Sequence, residues 1–429
     1  MVVFDDHVRR LCSSAGNQRA LGIHAAVQPV AKRFGRLGRE MSSKYKCLVN
    51  GLPLMPPLSG VGRMVFELCR RVFHPDGAWT PLYYYGYYSR NLLDLEPQGE
   101  AGKNCKGRIM KSTIDLLRSN YALKRAARMA VNALAALPRR GNDALLYWEP
   151  NHVMLETLEA KHNVLTIHDL SCLLHPRWHP RERLDFFNAH FLKGVKKADV
   201  IVTVSDVIRC EILESLPVCE DRVFYVHNGV DHEIFRPLPE YDLANFRARA
   251  NLPERYVLCV GSLEPRKNLT ALLNAWLSLP ECVINERKLL LISNAGWENE
   301  EIMRKINKGK GSVLLRTDVP TSELPYYYNL AELFVYVSLY EGFGLPPVEA
   351  MACGAPVLAS DIQAHREVLG DAAWYVEPNS ATKIAECLEA MLTAAPGKER
   401  PARKCLERAS LYSWDMAARE YRSVMGKLL

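Results

Sequence analysis

From residue 45 to the C-terminus, short β-rich apolar runs alternate with longer stretches in which apolar positions recur at helical spacing. In the first half the runs 45–50, 81–85, 144–147, 164–167, 200–204 and 223–226 read as strands, and 62–71, 113–136, 181–197 and 206–216 as the helices between them. Ser205 stands where it can cap the helix that begins at Asp206. A second series, 256–260, 288–293, 312–315, 333–337, 356–359 and 373–376, repeats the alternation. Strands alternating with helices predict parallel sheets covered by helices.

Between the two series, His227-Asn228-Gly229 closes a strand in a tight turn, and the prolines that follow Phe235 stiffen the chain. The expected fold class is therefore α/β, with two Rossmann-like, doubly wound domains facing across a cleft. The first spans residues 44–236, a linker covers 237–254, and the second domain spans 255–410. The closing segment 411–429, with a helix at 414–427, is expected to cross back onto the first domain. Ligands of such sheets bind at the C-terminal ends of the strands. Residues 1–43 show no regular pattern, no apolar core of a signal peptide, and two acids, Asp5 and Asp6, that disfavour a transit peptide. They are expected to be a poorly ordered extension.

Composition narrows the class without changing the fold. The chain has 429 residues, 48% hydrophobic and 24% charged, which excludes disordered, collagen-like and disulfide-stapled classes. No stretch offers the roughly 20 apolar residues of a spanning helix. The 12 cysteines are scattered, mostly in apolar runs and without metal-ligand spacing; reduced core thiols in a cytoplasmic protein are expected. Of the net charge of +7, the segment Lys103 to Arg140 carries ten bases against one acid, Asp115. A basic stretch with interleaved apolar residues can rest on an anionic membrane surface or form a solvated face. No nucleic-acid-binding module accompanies it, so nucleic acid is not an expected partner. The tyrosines at 83–85, 87 and 88 suit either strand packing or a sugar- or lipid-facing edge.

The candidate chemistry gathers in the second half. Gly261-Ser262-Leu263-Glu264-Pro265-Arg266-Lys267 follows a strand directly; Gly261 permits close backbone approach, and the adjacent Arg266 and Lys267 suit a diphosphate better than a single carboxylate. In Glu341-Gly342-Phe343-Gly344-Leu345-Pro346-Pro347-Val348-Glu349 the glycines let backbone N–H groups face a ligand. The prolines fit the first turn of a helix whose N-terminus favours anions, and Gly354 suits its left-handed end. Two separated carboxylates, Glu341 and Glu349, are good acceptors for sugar hydroxyls. Cations, helix-end amides and carboxylates together fit a sugar, a diphosphate and a ribose. The end of the strand near 312–319 is positioned to meet a base, and Glu367 is expected to pair with local arginines.

These segments resemble the retaining nucleotide-sugar glycosyltransferases of family 4, which have the two-Rossmann B-type fold. The resemblance runs from about Tyr45 to the C-terminus through "GVGR" at 60–63, "TIHDLSCLLHP" at 166–176, "TVSD" at 203–206, "HNGVD" at 227–231, "GSLEPRKNL" at 261–269 and the run 338–376 with "MACGAPVLAS". Within the family it is most similar to bacterial mannosyltransferases of surface-polysaccharide assembly. The resemblance implies that Arg266 and Lys267 hold the donor diphosphate, that Glu349 accepts from the ribose, and that Glu341 binds the transferred sugar with Phe343, Gly344 and Leu345 around it. It further implies that Gly60 and Gly62, with Arg63 nearby, approach from the opposite wall, that His168 reaches the donor sugar, and that Asp169 orients its loop. Asn228 and Gly229 look structural.

Two departures stand out. Arg316-Thr317-Asp318 occupies a position where relatives often have glycine, and no DxD motif is present, so no cofactor or obligatory metal is expected. By resemblance the activity is transfer of a hexose, mannose from GDP-mannose in the first instance, to a glycan or lipid-linked acceptor with formation of an α bond. A nucleotide-sugar epimerase and a non-catalytic partner subunit share the plan. A Rossmann dehydrogenase does not fit, since no GxGxxG follows a strand.

Overall fold

The computed structural model describes residues 45–55, 59–74, 77–93, 144–293, 300–309, 311–393 and 402–429. The extension at 1–43, the helix expected at 113–136 and the basic segment from Lys103 to Arg140 lie outside them.

The first sheet has the order β3-β2-β1-β4-β5-β6-β7. Its strands are β1 (Tyr45–Asn50), β2 (Trp79–Tyr84), β3 (Tyr88–Ser89), β4 (Leu146–Glu149), β5 (His162–Ile167), β6 (Val200–Thr203) and β7 (Val223–Tyr225). The second has the order β10-β9-β8-β11-β12-β13, from β8 (Tyr256–Val260), β9 (Lys288–Ile292), β10 (Val313–Arg316), β11 (Leu333–Tyr336), β12 (Val357–Ser360) and β13 (Trp374–Val376). Each apolar run read as a strand forms one, with ends shifted by no more than two residues. The pairings are parallel except β2–β3, a short antiparallel return through Gly86 at φ 86° that the tyrosine run concealed. Tyr83, Tyr84 and Tyr85 are buried there, so strand packing accounts for them.

The helices that matter below are α1 (Gly60–Val72), α2 (Asp206–Ser215), α3 (Glu240–Arg249), α4 (Leu345–Ala352), α5 (Gln363–Leu369) and α6 (Trp414–Gly426). Burial on both sheet faces explains the continuous apolar runs. Along β8, Val257 and Cys259 enter one core with Leu272 and Trp276, while Tyr256 and Leu258 enter the other with Tyr328 and Phe334. Each fully buried Leu or Val contributes roughly 1.5–3 kcal/mol relative to exposure.

The segment expected to be a proline-stiffened linker, 237–254, is more structured than that reading. It contains α3, whose Phe246 stacks on Tyr326 at 4.5 Å and joins the second core with Phe235 and Leu252. Phe246 is the helix's one buried position, and the charged Glu240, Asp242, Arg247 and Arg249 around it masked the pattern. Helix α6 returns to the first sheet, where Trp414, Ala417, Ala418, Tyr421 and Met425 pack with β1 and β4 side chains. The Tyr421 hydroxyl lies 3.3 Å from Thr166 Oγ1. Gly229 permits this return, since a Cβ there would sit 2.1 Å from the Trp414 nitrogen.

At the C-terminal edge of the first sheet, Glu149 is fully buried and accepts from Asn50 Nδ2 at 2.9 and 3.0 Å, the Tyr147 hydroxyl at 2.6 Å and the Asn151 N–H at 3.2 Å. Burial nonetheless pushes its carboxyl up to about 8, from an ordinary value near 4.5. The folded chain thus holds a proton that the unfolded chain releases, and stability falls as pH rises through that window, by up to about 1.4 kcal/mol per pH unit. In thermal melts from pH 5 to 9, Glu149→Gln is expected to gain stability relative to the wild type as pH rises. A pH-independent difference would mean that Glu149 does not titrate in this range.

Candidate active site

The loop after β8 is held in place before it presents any charge. Asn268, in the left-handed region at φ 57°, donates from Nδ2 to the carbonyls of Val337 (3.1 Å) and Pro378 (2.7 Å), which tethers the loop beyond the ends of β11 and β13. Arg266 and Lys267 are thereby directed onto one carboxylate. Glu341 receives Arg266 Nη1 on Oε2 at 2.6 Å, and on Oε1 both Lys267 Nζ at 2.6 Å and the Tyr336 hydroxyl at 2.9 Å. Arg266 also donates to Glu264 at 3.1 Å and to the Tyr340 carbonyl at 3.1 Å. Burial opposes ionisation of Glu341, but Arg266 and Lys267 outweigh it and bring its carboxyl down to about 2. A carboxylate has about four lone-pair sites, so three donors leave room for one ligand hydroxyl.

Beside this cluster α4 begins at Leu345, capped by Gly344 at φ 88°, a left-handed conformation that favours glycine. Gly342 meets a requirement that its sequence did not show. A Cβ there would stand 1.8 Å from the His168 carbonyl oxygen on the opposite lobe, so it serves contact between lobes. Phe343 is buried against Tyr412 at 5.4 Å, and Leu345 is half-buried. A Cβ on Gly261 would meet only Tyr336 and Lys267, at ordinary 3.8–3.9 Å contacts, so the protein itself does not demand glycine at this position.

Glu349, on α4, is buried and accepts from the Tyr328 hydroxyl at 3.0 Å and from Arg63, which crosses from the first lobe and also donates to Thr321 Oγ1 at 3.0 Å. Gly60 and Gly62 lie in the first turn of α1, capped by Ser59, which accepts from the Gly62 N–H at 3.2 Å. His168 Nε2 lies 2.8 Å from the Pro150 carbonyl. A carbonyl only accepts, so Nε2 carries the proton and Nδ1 the lone pair. Burial lowers the basicity of this ring. Asp169 accepts from the Ser171 N–H at 2.9 Å. Its carboxyl is held well below the usual range: burial opposes this, and attraction to Arg266 across the cleft and to His152 prevails.

The lobes meet through further polar contacts. Ser205 Oγ accepts from the Ile208 N–H at 3.3 Å as the cap of α2, and donates to the Gly342 carbonyl at 2.6 Å. Glu367 does not pair with arginines as its surroundings in sequence suggested. From α5 it accepts the Asp206 and Val207 N–H groups of α2 at 2.9 and 2.8 Å and lies 2.6 Å from His227 Nε2. A carboxylate at a helix N-terminus is favoured by the dipole and the unpaired N–H groups. Tyr340 donates to Glu211 at 2.5 Å and accepts from the Leu170 N–H at 3.0 Å.

The structure thus brings Arg266, Lys267 and Glu341 together, pairs Glu349 with Arg63, and sets His168 against the Gly342 turn. Tyr336 and Tyr328, which orient the two carboxylates, were not legible as site residues, because aromatics in apolar runs read as core. Among the described residues, no group of three or more His, Cys, Asp or Glu is arranged to hold a metal ion. A cavity of about 470 Å³ lies at the other end of α1, but Arg70 and Arg71 there are engaged by Glu67, Asp231 and Asp415.

Two facing doubly wound lobes, with a cation pair and carboxylates at the strand ends, define a GT-B glycosyltransferase. Solved structures agree on the fold: sucrose-phosphate synthase from Thermosynechococcus elongatus matches with TM-score 0.65 at 20% identity, covering 90% of this chain and 99% of that one. Anabaena Alr3699/HepE in complex with UDP and glucose matches with TM-score 0.59 at 14% identity, covering 89% and 100%. The model for glycosyl transferases group 1 matches residues 242–408, and that for glycosyltransferase family 4 matches residues 106–234. O-antigen chain mannosyltransferase B from Escherichia coli is 30% identical over 365 residues, 85% of this chain and 94% of that one. The serotype-specific mannosyltransferase WbdA of Escherichia coli is 30% identical over 261 residues, 58% of this chain and 32% of its own length. The chain belongs to the family 4 glycosyltransferases.

Proposed function

We propose that this enzyme transfers mannose from GDP-mannose to a surface-polysaccharide glycan or its lipid-linked precursor, with retention at the anomeric carbon and an α-linked product. The observation that carries donor binding is the convergence of Arg266 and Lys267 on Glu341, beside the N-terminus of α4. The choice of mannose draws on the relatives named as mannosyltransferases.

On this reading a diphosphate takes up part of the positive charge now shared by Glu341, and that charge grows in value as the sugar leaves. Glu341 accepts from a sugar hydroxyl, and Glu349 exchanges Arg63 for the ribose. No obligatory metal is invoked, because two cations and the helix end can neutralise the diphosphate. Asp169 is turned onto the Ser171 N–H and drawn to Arg266, so it is poorly disposed to act as a nucleophile. A front-face reaction fits better: the acceptor's proton passes to the departing phosphate oxygen while the acceptor oxygen bonds to the anomeric carbon. The lobe contacts at Gly342, Ser205 and Glu367 would exclude water from the donor. Action at the inner face of the cytoplasmic membrane, through the basic segment from Lys103 to Arg140, belongs to the same proposal.

Thermal shifts against GDP-, UDP-, ADP- and dTDP-sugars test the donor. Saturation at 100 times the dissociation constant is expected to add about 2.7 kcal/mol for the preferred one. A larger shift with another nucleotide would overturn GDP-mannose, and a β-linked product by NMR would overturn retention.

A further inference from the structure

His365, in α5, is fully buried, and one edge of its ring is closed. Nδ1 lies 3.0 Å from Ser360 Oγ and 3.1 Å from the Ser360 carbonyl. Ser360 Oγ spends its own proton on the Ser338 carbonyl at 2.6 Å, so both of these neighbours can only accept from the ring. Nδ1 therefore carries the hydrogen, and Nε2 presents a lone pair.

That Nε2 has no hydrogen-bond partner among the described residues. The Nε2–Cδ2 edge faces Gly344, where a Cβ would lie 3.5 Å from each of the two atoms. Gly344 belongs to the turn that carries Glu341. The Tyr336 ring stands 5.6 Å away, and the charges of Glu341 and Lys267 act on the imidazole. Burial holds the ring neutral, with its pKa lowered to about 4. A buried acceptor without a donor is costly, and this one lies against the Gly344 turn, at the wall where the donor is expected.

We propose that His365 is a donor-specificity residue, its Nε2 accepting a hydrogen bond from a hydroxyl of the transferred sugar beside the one read by Glu341. The assignment rests on the functional reading above. The hydroxyl belongs to the sugar and not to the ribose, because the carboxylate whose charge acts on His365 is Glu341, placed on the sugar, and not Glu349, placed on the ribose.

The test is a cycle of His365→Asn, which keeps a donor toward Ser360 but lacks the Nε2 acceptor, against the wild type's best nucleotide-sugar and its monodeoxy analogues at each sugar hydroxyl and on the ribose. On the full donor the variant is expected to lose about 10-fold in kcat/KM. On one monodeoxy sugar, variant and wild type are expected to be equal, and His365→Gln, which restores an acceptor, should recover part of the loss. A folded variant with no loss, with equal loss on every donor, or with its loss removed only by deoxyribose overturns the proposal. If His365→Asn fails to fold, His365→Gln is run on the same panel: one deoxy sugar must penalise the wild type more than the Gln variant, and a folded Gln variant penalised like the wild type by every deoxy sugar also overturns the proposal. Absence of turnover by the wild type on any nucleotide-sugar overturns the functional reading itself, and the inference falls with it.

Discussion

Lys267→Ala is expected to lower turnover by about 10²–10³-fold, the cost of removing a charge preorganised for a leaving group. Lys267 is nearly buried, lies 2.6 Å from Glu341 Oε1, and has its ammonium 5.3 Å from the centre of the Tyr336 ring. Because Arg266 remains on the other oxygen of Glu341, that carboxylate should stay ionised at neutral pH, so the loss reflects the missing cation and not a protonated acid. The decrease should appear in kcat more than in KM if the charge acts mainly in the transition state.

The same variant should change acid stability. The folded pKa of Glu341, about 2, lies below its ordinary value near 4.5. Its contribution is therefore fully present above about pH 4.5 and lost as pH falls through 2. With one cation gone the folded value rises, and less of that contribution remains at any pH. Steady-state kinetics and acid melts check both halves. Wild-type turnover in the variant would remove the diphosphate assignment.

The sequence announced the sheets because both faces of each central strand are covered, which leaves uninterrupted apolar runs such as Leu333–Tyr336. It singled out Arg266, Lys267, Glu341 and Glu349 as candidates because they stand beside glycine turns at strand ends, and the structure brings the first three together. What stayed hidden depends on partners distant in sequence. Arg63 meets Glu349 only when the lobes face each other, and Glu367 finds the N-terminus of α2 only across the same interface. His365 was passed over because its significance is a tautomer, fixed by the proton that Ser360 gives to Ser338. No spacing rule records that.

Gly342→Ala should separate the architecture of the lobes from their chemistry. An added Cβ would lie 1.8 Å from the backbone oxygen of His168 and 3.1 Å from Val204 Cγ2, whereas ordinary contact begins at 3.4 Å. The obstacle is backbone, so no rotamer change relieves it; the His168 loop must withdraw by more than an ångström, or the lobes must part. Either movement displaces His168 relative to Arg266 and Glu341. A shift of this size costs about 10²-fold in rate when reacting groups must be held in near-attack geometry. Each lobe keeps its own core, so the thermal midpoint should move little compared with activity. Gly426→Ala, in α6 with nothing within 4 Å of the added atom, is the control and should be neutral or slightly stabilising. Small-angle scattering of the unliganded Gly342→Ala variant separates the two: parted lobes raise the radius of gyration above the wild type's, whereas a withdrawn loop leaves it unchanged while activity still falls. Full activity in that variant would mean that turnover does not require the lobes to meet at this turn, and water would then have to be kept from the donor by contacts other than this one.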